Sequence, residues 1–194
     1  MQKELKMQNK KHDLPLSPRL QAVKLLRDIF ASQDSHSLKV AFDGLNFGID
    51  IGEESLEADF NRYFVGPFSP LADPFSSVYL DDPDVVMSKS TLHVRELYET
   101  MGFTFPLQNK IPEDHLGIEL DAYYQLLYIE EVKKMDYLFD LRNYFLHEHL
   151  NQWVPQFIEK ALKNEEFNSE AIVFILHKLK SLLIRETNTQ GVPA

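Results

Sequence analysis

The chain has 194 residues, which is enough for one domain with a buried core. Hydrophobic residues make up 44% of it, including 14 Phe and 8 Tyr, and this composition excludes a disordered chain. Because it contains no cysteine, disulfides, thiol catalysis and zinc or iron–sulfur sites held by cysteine are excluded as well.

The net charge of −10 is concentrated in the middle of the chain. Residues 40–131 contain 18 Asp and Glu against four Lys and Arg, whereas the two flanks together carry a net charge of +4. An acidic segment of this kind repels nucleic acid and anionic lipid and attracts a cationic partner. A solvated acidic surface that only maintains solubility would have the same composition. We therefore predict no nucleic-acid binding and keep a basic partner as one of two interpretations.

The two ends of the chain are predicted to be mobile tails. Residues 1–12 are polar and basic and lack the apolar stretch of a secretory signal peptide; residues 188–194 are predicted to form a second tail. Residues 13–187 are then predicted to form one domain. The longest apolar runs are too short to cross a bilayer, so we expect a cytoplasmic protein that does not insert into membranes.

Helical patterns dominate the chain. Ser17 and Pro18 are typical of a helix N-cap followed by proline at the first helical position, and apolar residues then recur at helical spacing up to Phe30. Glycines interrupt residues 44–52, which we predict to be a loop or a broken helix. Further helices are predicted over residues 55–64, 90–101 with Gly102 as C-cap, from Pro112 onward, and over 135–149, 151–162 and 169–185. Since no stretch alternates polar and apolar residues for long, the predicted fold class is an all-α, single-domain globule.

Residues 65–86 have a different character. They contain four prolines and one glycine, and proline is excluded from helix interiors, so this segment is predicted to be an extended loop. Long loops in compact domains are often functional. Its apolar side chains must pack against the helices, and a loop fixed by prolines would then form one wall of a groove.

The chain lacks the common motifs of catalysis. It has no glycine-rich phosphate loop, no serine nucleophile elbow and no Glu-x-x-His pair of the di-iron type. His147 and His149 are two residues apart and point to nearly opposite sides of a helix, so we predict structural or surface roles for them. No catalytic residue, no metal site and no enzymatic activity are predicted.

Asp114 and His115 are an adjacent pair with two interpretations. They follow Pro112 at the start of a predicted helix, where an acidic side chain stabilises the helix dipole or caps the first turn. An Asp beside a His could also act as an acid/base pair. Capping is favoured, and a helical enzyme that uses the pair is kept as an alternative hypothesis.

Three segments of the chain carry a common resemblance. Residues 60–79 (FNRYFVGPFSPLADPFSSVY) contain an aromatic–Gly–Pro stretch followed by a Pro–aromatic element. Residues 112–120 (PEDHLGIEL) contain a Pro-x-Asp-His hinge, and residues 149–157 (HLNQWVPQF) a Trp-x-Pro helix. In this order and spacing they resemble the cytoplasmic redox-enzyme maturation chaperones that serve dimethyl sulfoxide, trimethylamine N-oxide and nitrate reductases. The resemblance covers about residues 55–160.

The resemblance implies a function and a binding site. Members of the family bind the N-terminal twin-arginine leader of a molybdoenzyme catalytic subunit and keep the apo subunit from export until its cofactor is inserted. Weak guanine-nucleotide binding is also implied, although the chain has no phosphate loop; no other cofactor is predicted. We expect about half of the implied contact residues to be core residues instead. By position, the implied leader-binding residues are Phe60, Tyr63, Phe64, Gly66, Pro67, Phe68, Pro74, Phe75, Tyr79, Asp114 and His115.

The chain also departs from the family pattern. Asp73, Pro74 and Phe75 stand where the family often has Pro-Pro-Trp, Phe60 and Phe68 replace tryptophans, and the residue before the hinge proline is not the usual Glu. Aromatic character is kept, but ring size and the indole donor are not, so leader preference is expected to differ.

The acidic middle segment and the apolar loop together suit a twin-arginine leader, which presents two guanidinium groups followed by an apolar, helix-prone stretch. The alternative is an acidic helical adaptor that binds another basic and apolar segment. A monomer is expected, although the long loop and the hinge would also permit helix exchange in a swapped dimer.

Overall fold

The structure is a computed structural model that describes residues 15–67, 69–81, 88–104, 111–163 and 168–189. Phe68, residues 1–12 and residues 190–194 of the predictions above lie outside these ranges. Within them, the prediction of an all-α fold is confirmed: the chain forms nine α-helices and one π-helical turn, and its β-structure is limited to an isolated bridge. In chain order the helices are α1 (Pro18–Phe30), α2 (Ser35–Asp43), α3 (Glu53–Phe64), α4 (Ser77–Leu80), α5 (Lys89–Met101), α6 (Leu116–Glu131), α7 (Phe139–Phe145), the π-turn (Leu146–Leu150), α8 (Asn151–Leu162) and α9 (Glu170–Asn188).

Several helix boundaries follow from local capping chemistry. The Ser17 hydroxyl accepts the N–H of Leu20 at 3.1 Å, which starts α1 as the sequence predicts. Gly102 ends α5 in the left-handed conformation, with φ of +67°. Ser169 caps α9 in the same way as Ser17 caps α1, and α9 then continues to Asn188, beyond its predicted end.

Four further elements differ from the prediction. Helix α2 was missed because it is short and starts with polar residues; the Asp34 carboxylate caps it by accepting the N–H of Ser37 at 2.7 Å. Helix α6 begins at Leu116 rather than at Pro112. Helix α7 begins at Phe139 rather than at residue 135, after a residue with positive φ. The loop over residues 65–86 contains one helical turn, α4.

Helix α6 forms the centre of the molecule, since ten of its residues from Leu116 to Leu127 are buried. It packs closely along α1 at Gly117. A Cβ at this glycine would lie 2.8 Å from backbone atoms of Phe30 and Ala31, closer than van der Waals contact allows. The absence of a side chain at Gly117 therefore sets the distance between the two helices and brings the end of α1 beside the start of α6.

A partly buried ionic network joins α1, α6, α7 and α9. The Arg19 guanidinium donates to both carboxylate oxygens of Glu186, and the Tyr123 hydroxyl donates to the same carboxylate. Arg142, which is 2% exposed, donates to Tyr123 and to Glu130. None of the helices in the described ranges is long and apolar enough to cross a membrane.

Candidate functional site

The isolated β-bridge brings two of the motif segments together. The N–H of Leu116 donates to the carbonyl of Pro74 at 2.8 Å, and the N–H of Ser76 donates to the carbonyl of Asp114 at 3.0 Å. The ring of Phe75 meets the His115 imidazole edge-on, with 5.0 Å between centroids. The loop that was predicted over residues 65–86, called the aromatic loop below, is thus hydrogen-bonded to the residues just before α6.

Asp114 lies beneath this bridge and is 1% exposed. Its Oδ2 accepts the N–H of Ser77 at 3.1 Å and so caps α4, 37 residues earlier in the chain. Its Oδ1 and the hydroxyl of Ser76 are buried and have no hydrogen-bond partner in the described part of the chain. Because its side chain is enclosed, Asp114 positions the loop and does not face solvent.

His115 is the N-cap of α6. Its Nδ1 accepts the N–H of Gly117 at 3.1 Å. Burial lowers the pKa of His115 from 6.5 to about 4, and the nearby Asp114 carboxylate opposes this shift only in part. The imidazole is therefore neutral at neutral pH, which agrees with capping rather than with an acid/base pair.

A cavity of about 320 Å³ opens beside the bridge. Five of the predicted site residues line it: Phe60, Phe64, Pro74, Phe75 and His115. Its walls come from the end of α1, from α3, from the aromatic loop and from the hinge before α6. Among the residues that the structure describes, the lining consists of Phe30, Ala31, Ser32, Gln33, Phe60, Phe64, Val65, Pro74, Phe75, Ile111 and His115.

The other predicted site residues in the described ranges do not line this cavity. Tyr63 is 2% exposed, and its carbonyl accepts the N–H of Ala72, so it holds the loop against α3. Gly66 supports the turn after α3 with φ of +111°, and Pro67 is exposed beside it. The ring of Tyr79 stacks on Trp153 at 5.7 Å. Phe60 and Phe64 are themselves buried, at 6% and 3% exposure, and contribute only one face to the cavity.

Six of the residues that line the cavity were not predicted from the sequence. Residues 30–33 end α1 and enter the site only because α1 packs on α6, and their side chains carry no recognisable motif. Val65 lies inside the first motif segment and Ile111 directly precedes the second, so both could have been found from their neighbours in the sequence.

The third motif segment, residues 149–157, packs against the other two through buried contacts. The fully buried Glu119 carboxylate of α6 binds His149 Nε2 at 2.8 Å and accepts the indole N–H of Trp153 at 2.9 Å. Burial opposes protonation of His149, but the Glu119 carboxylate outweighs it and raises the His149 pKa. Since Trp153 also stacks on Tyr79, the three motif segments form one contiguous unit.

A larger cavity, of about 720 Å³, lies on another face between α8 and α9. Apolar residues such as Ile158, Leu162 and Ile184 line it together with Lys163 and Lys180, and none of the predicted site residues in the described ranges does. Volume alone would favour this cavity. We assign the candidate site to the smaller one, because it brings five of the predicted site residues together and the bridge and the packing of α1 on α6 fix two of its walls.

The fold and the motifs agree with known proteins. The family model described as nitrate reductase delta subunit matches residues 20–159, which include all three motif segments. The chain belongs to this family. The predicted resemblance to redox-enzyme maturation chaperones is thereby confirmed.

Individual relatives carry the same family relationship. The chaperone protein TorD of Vibrio parahaemolyticus is 29% identical over 144 residues, which cover 69% of this chain and 67% of that one. The Tat proofreading chaperone DmsD of Salmonella typhimurium is 40% identical over 65 residues, which cover 34% of this chain and 32% of that one. A solved structure described as a redox enzyme maturation protein from Archaeoglobus fulgidus matches 89% of this chain and 98% of its own, with a TM-score of 0.58 and 15% identity.

Proposed function

We propose that this chain is a cytoplasmic chaperone that binds the twin-arginine leader of a molybdoenzyme catalytic subunit and holds the apo subunit until its cofactor is inserted. The observation that carries the proposal is the cavity of about 320 Å³ between the aromatic loop and the hinge before α6. The family relationship and the relatives named as chaperones support it. They also support a protein that is not an enzyme.

The cavity suits the apolar stretch of a leader. Phe60, Phe64, Phe75 and Ile111 give it an apolar lining, and its volume is in the range of sites that take small groups of apolar atoms. Among the described lining residues only His115 titrates, and its low pKa keeps it neutral at neutral pH. A side chain of Leu or Phe size can therefore enter without burying an unpaired charge.

The walls of the cavity are preorganised. The bridge fixes the backbone on both sides of Phe75 and His115, and the loop prolines restrict it further. A preformed wall costs less ordering entropy on binding than a flexible loop would. The leader then supplies the disordered partner that becomes ordered.

Calorimetric titration with synthetic leaders of dimethyl sulfoxide, trimethylamine N-oxide and nitrate reductase catalytic subunits tests the proposal. We expect Phe75→Ala to weaken binding of the best leader about tenfold, because it removes a ring from the cavity wall. Phe139→Ala, which removes an exposed ring of α7 outside the cavity, is the matched control and should leave binding unchanged. Helical circular dichroism checks that both variants fold.

The acidic middle segment favours one alternative, an adaptor for basic and apolar segments in general. The adaptor hypothesis predicts that a scrambled leader of the same composition binds as tightly as the original leader. Equal binding of both, or no binding of any molybdoenzyme leader, would contradict the proposed function. We propose a monomer as the binding form, and light scattering during the titration measures its mass.

A further inference from the structure

A second groove, of about 660 Å³, adjoins the candidate site. The two cavities share three wall residues, Ala31, Ser32 and Gln33, at the turn between α1 and α2. Consecutive residues of one extended peptide can therefore occupy both. The second groove differs in character from the first, because charged residues of α1 and of the start of α2 line it.

The carboxylates around this groove are not equivalent. Asp28 is neutralised, since it pairs with Lys24 at 2.6 Å and with Arg27 at 2.7 Å. Asp34 also lines the groove and is exposed; it accepts the N–H of Ser37 but forms no ion pair with a lysine or arginine of the described residues. Its charge is available to a ligand.

A second carboxylate lies beside the groove. Glu53, the first residue of α3, accepts the hydroxyl of Ser35 at 2.6 Å and lies 3.7 Å from His36, a lining residue of the groove. Its side chain is 41% exposed and forms no ion pair with a lysine or arginine in the described part. Asp34 in the lining of the groove and Glu53 beside its lining residue His36 thus place two carboxylates, neither paired with a described lysine or arginine, at one end of a cleft whose other end is apolar.

The large α8–α9 cavity has the opposite charge. Lys163 there is paired with Glu159 at 2.8 Å, and Lys180 in the same lining forms no ion pair with the residues that the structure describes. A peptide end with two arginines would be repelled from that cavity and attracted to the groove beside Asp34. The charge of the lining therefore favours the groove beside Asp34 over the α8–α9 cavity as the site for the two arginines, although the α8–α9 cavity has the larger volume.

We propose that the groove between α1 and α2 receives the arginine pair of the leader, with Asp34 and Glu53 as specificity-determining residues, while the adjoining cavity takes the apolar stretch. This inference rests on the proposed function and gives the leader a direction along the cleft. The basic end lies at the α1–α2 turn, and the chain then runs toward Phe75.

Substitutions that remove charge but keep the local hydrogen bonds test the inference. Asp34→Asn keeps the helix cap, since asparagine is as good an N-cap as aspartate, and Glu53→Gln keeps an acceptor for the Ser35 hydroxyl. We expect each to weaken binding of a twin-arginine leader about two- to fivefold, the range for exposed charge pairs. Asp43→Asn, at the other end of α2 and paired with Lys39, is the control and should change affinity less than about twofold.

The same leader with both arginines replaced by glutamine completes a double-mutant cycle. Asp34→Asn and Glu53→Gln should leave the affinity for this peptide unchanged, and high salt should weaken only the arginine form. If the unmodified protein binds both peptides equally, or if Asp43→Asn has as large an effect as the other two, the inference is wrong while the proposed function stands. If neither peptide binds, both are wrong.

Discussion

Replacing His115 by asparagine is expected to remove a pH dependence of stability and to keep the start of α6. The His115 Nδ1 accepts the N–H of Gly117, and an asparagine side-chain oxygen makes the same bond at an N-cap. Asparagine does not titrate. The variant also lacks the contact between the His115 and Phe75 rings, and this loss lowers the free energy of unfolding by an amount that does not depend on pH.

The magnitude follows from the pKa of His115, which burial lowers from 6.5 to about 4. Between these two values the unfolded chain binds a proton that the folded chain does not, so stability falls as the pH falls. At pH 7.5 both states are neutral and the contribution is close to zero, whereas at pH 5 the loss reaches about 2 kcal/mol. His149, whose pKa is raised, acts with the opposite sign: its stabilisation is present below its ordinary pKa and is lost as the pH rises through the raised value.

Urea unfolding of the unmodified protein and of His115→Asn at pH 7.5 and pH 5 measures the effect. His149 and the carboxylates titrate in both proteins, so their contributions cancel in the comparison. We expect the unmodified protein to lose about 2 kcal/mol more than the variant on acidification. If both lose the same free energy of unfolding, His115 is not buried in its neutral form and the account of the cap is wrong.

Two further predictions concern packing beneath the cavity. In thermal unfolding, Gly117→Ala should lower the free energy of unfolding by about 1–3 kcal/mol, although alanine favours helix, because its Cβ would lie 2.8 Å from backbone atoms at the end of α1. The control is Gly52→Ala, whose Cβ would meet the Ser55 hydroxyl oxygen at 4.0 Å, an ordinary van der Waals contact; it should cost less than about 1 kcal/mol in the same measurement. Glu119→Ala should cost about 3–5 kcal/mol, because it leaves His149 and the Trp153 indole N–H buried without their acceptor. A loss below about 1 kcal/mol in urea unfolding would contradict that role of Glu119.

The fold class could be predicted from the sequence because most helices have local signals, namely a helical spacing of apolar residues and a capping residue. Helices α1, α5 and α9 combine a strong apolar period with a capping residue at one end. The start of α6 was misplaced for a non-local reason. Pro112 is a valid signal for a helix start, but the bridge to Phe75 holds the backbone of His115 extended, and that partner is 40 residues away in the chain.

The candidate site was only half accessible to sequence reasoning. The motif segments supply Phe60, Phe64, Pro74, Phe75 and His115, which one reads from aromatic, proline and hinge patterns. Val65 and Ile111 lie in or beside these segments, whereas the wall formed by residues 30–33 at the end of α1 belongs to no motif. Residues 30–33 reach the site because the glycine near the start of α6 lets α1 approach, and such an approach is a property of packing between distant segments.

The buried contacts change what the motifs mean. A carboxylate as enclosed as that of Glu119 is stable only with donors around it, and it finds them in His149 and Trp153. Trp153 in turn supports Tyr79, and Asp114 caps the helix that carries Tyr79. Most motif residues therefore stabilise the backbone and helices around the cleft, which form its frame. Residues that select one leader over another are expected at its open rim, where side chains can vary without disturbing that frame.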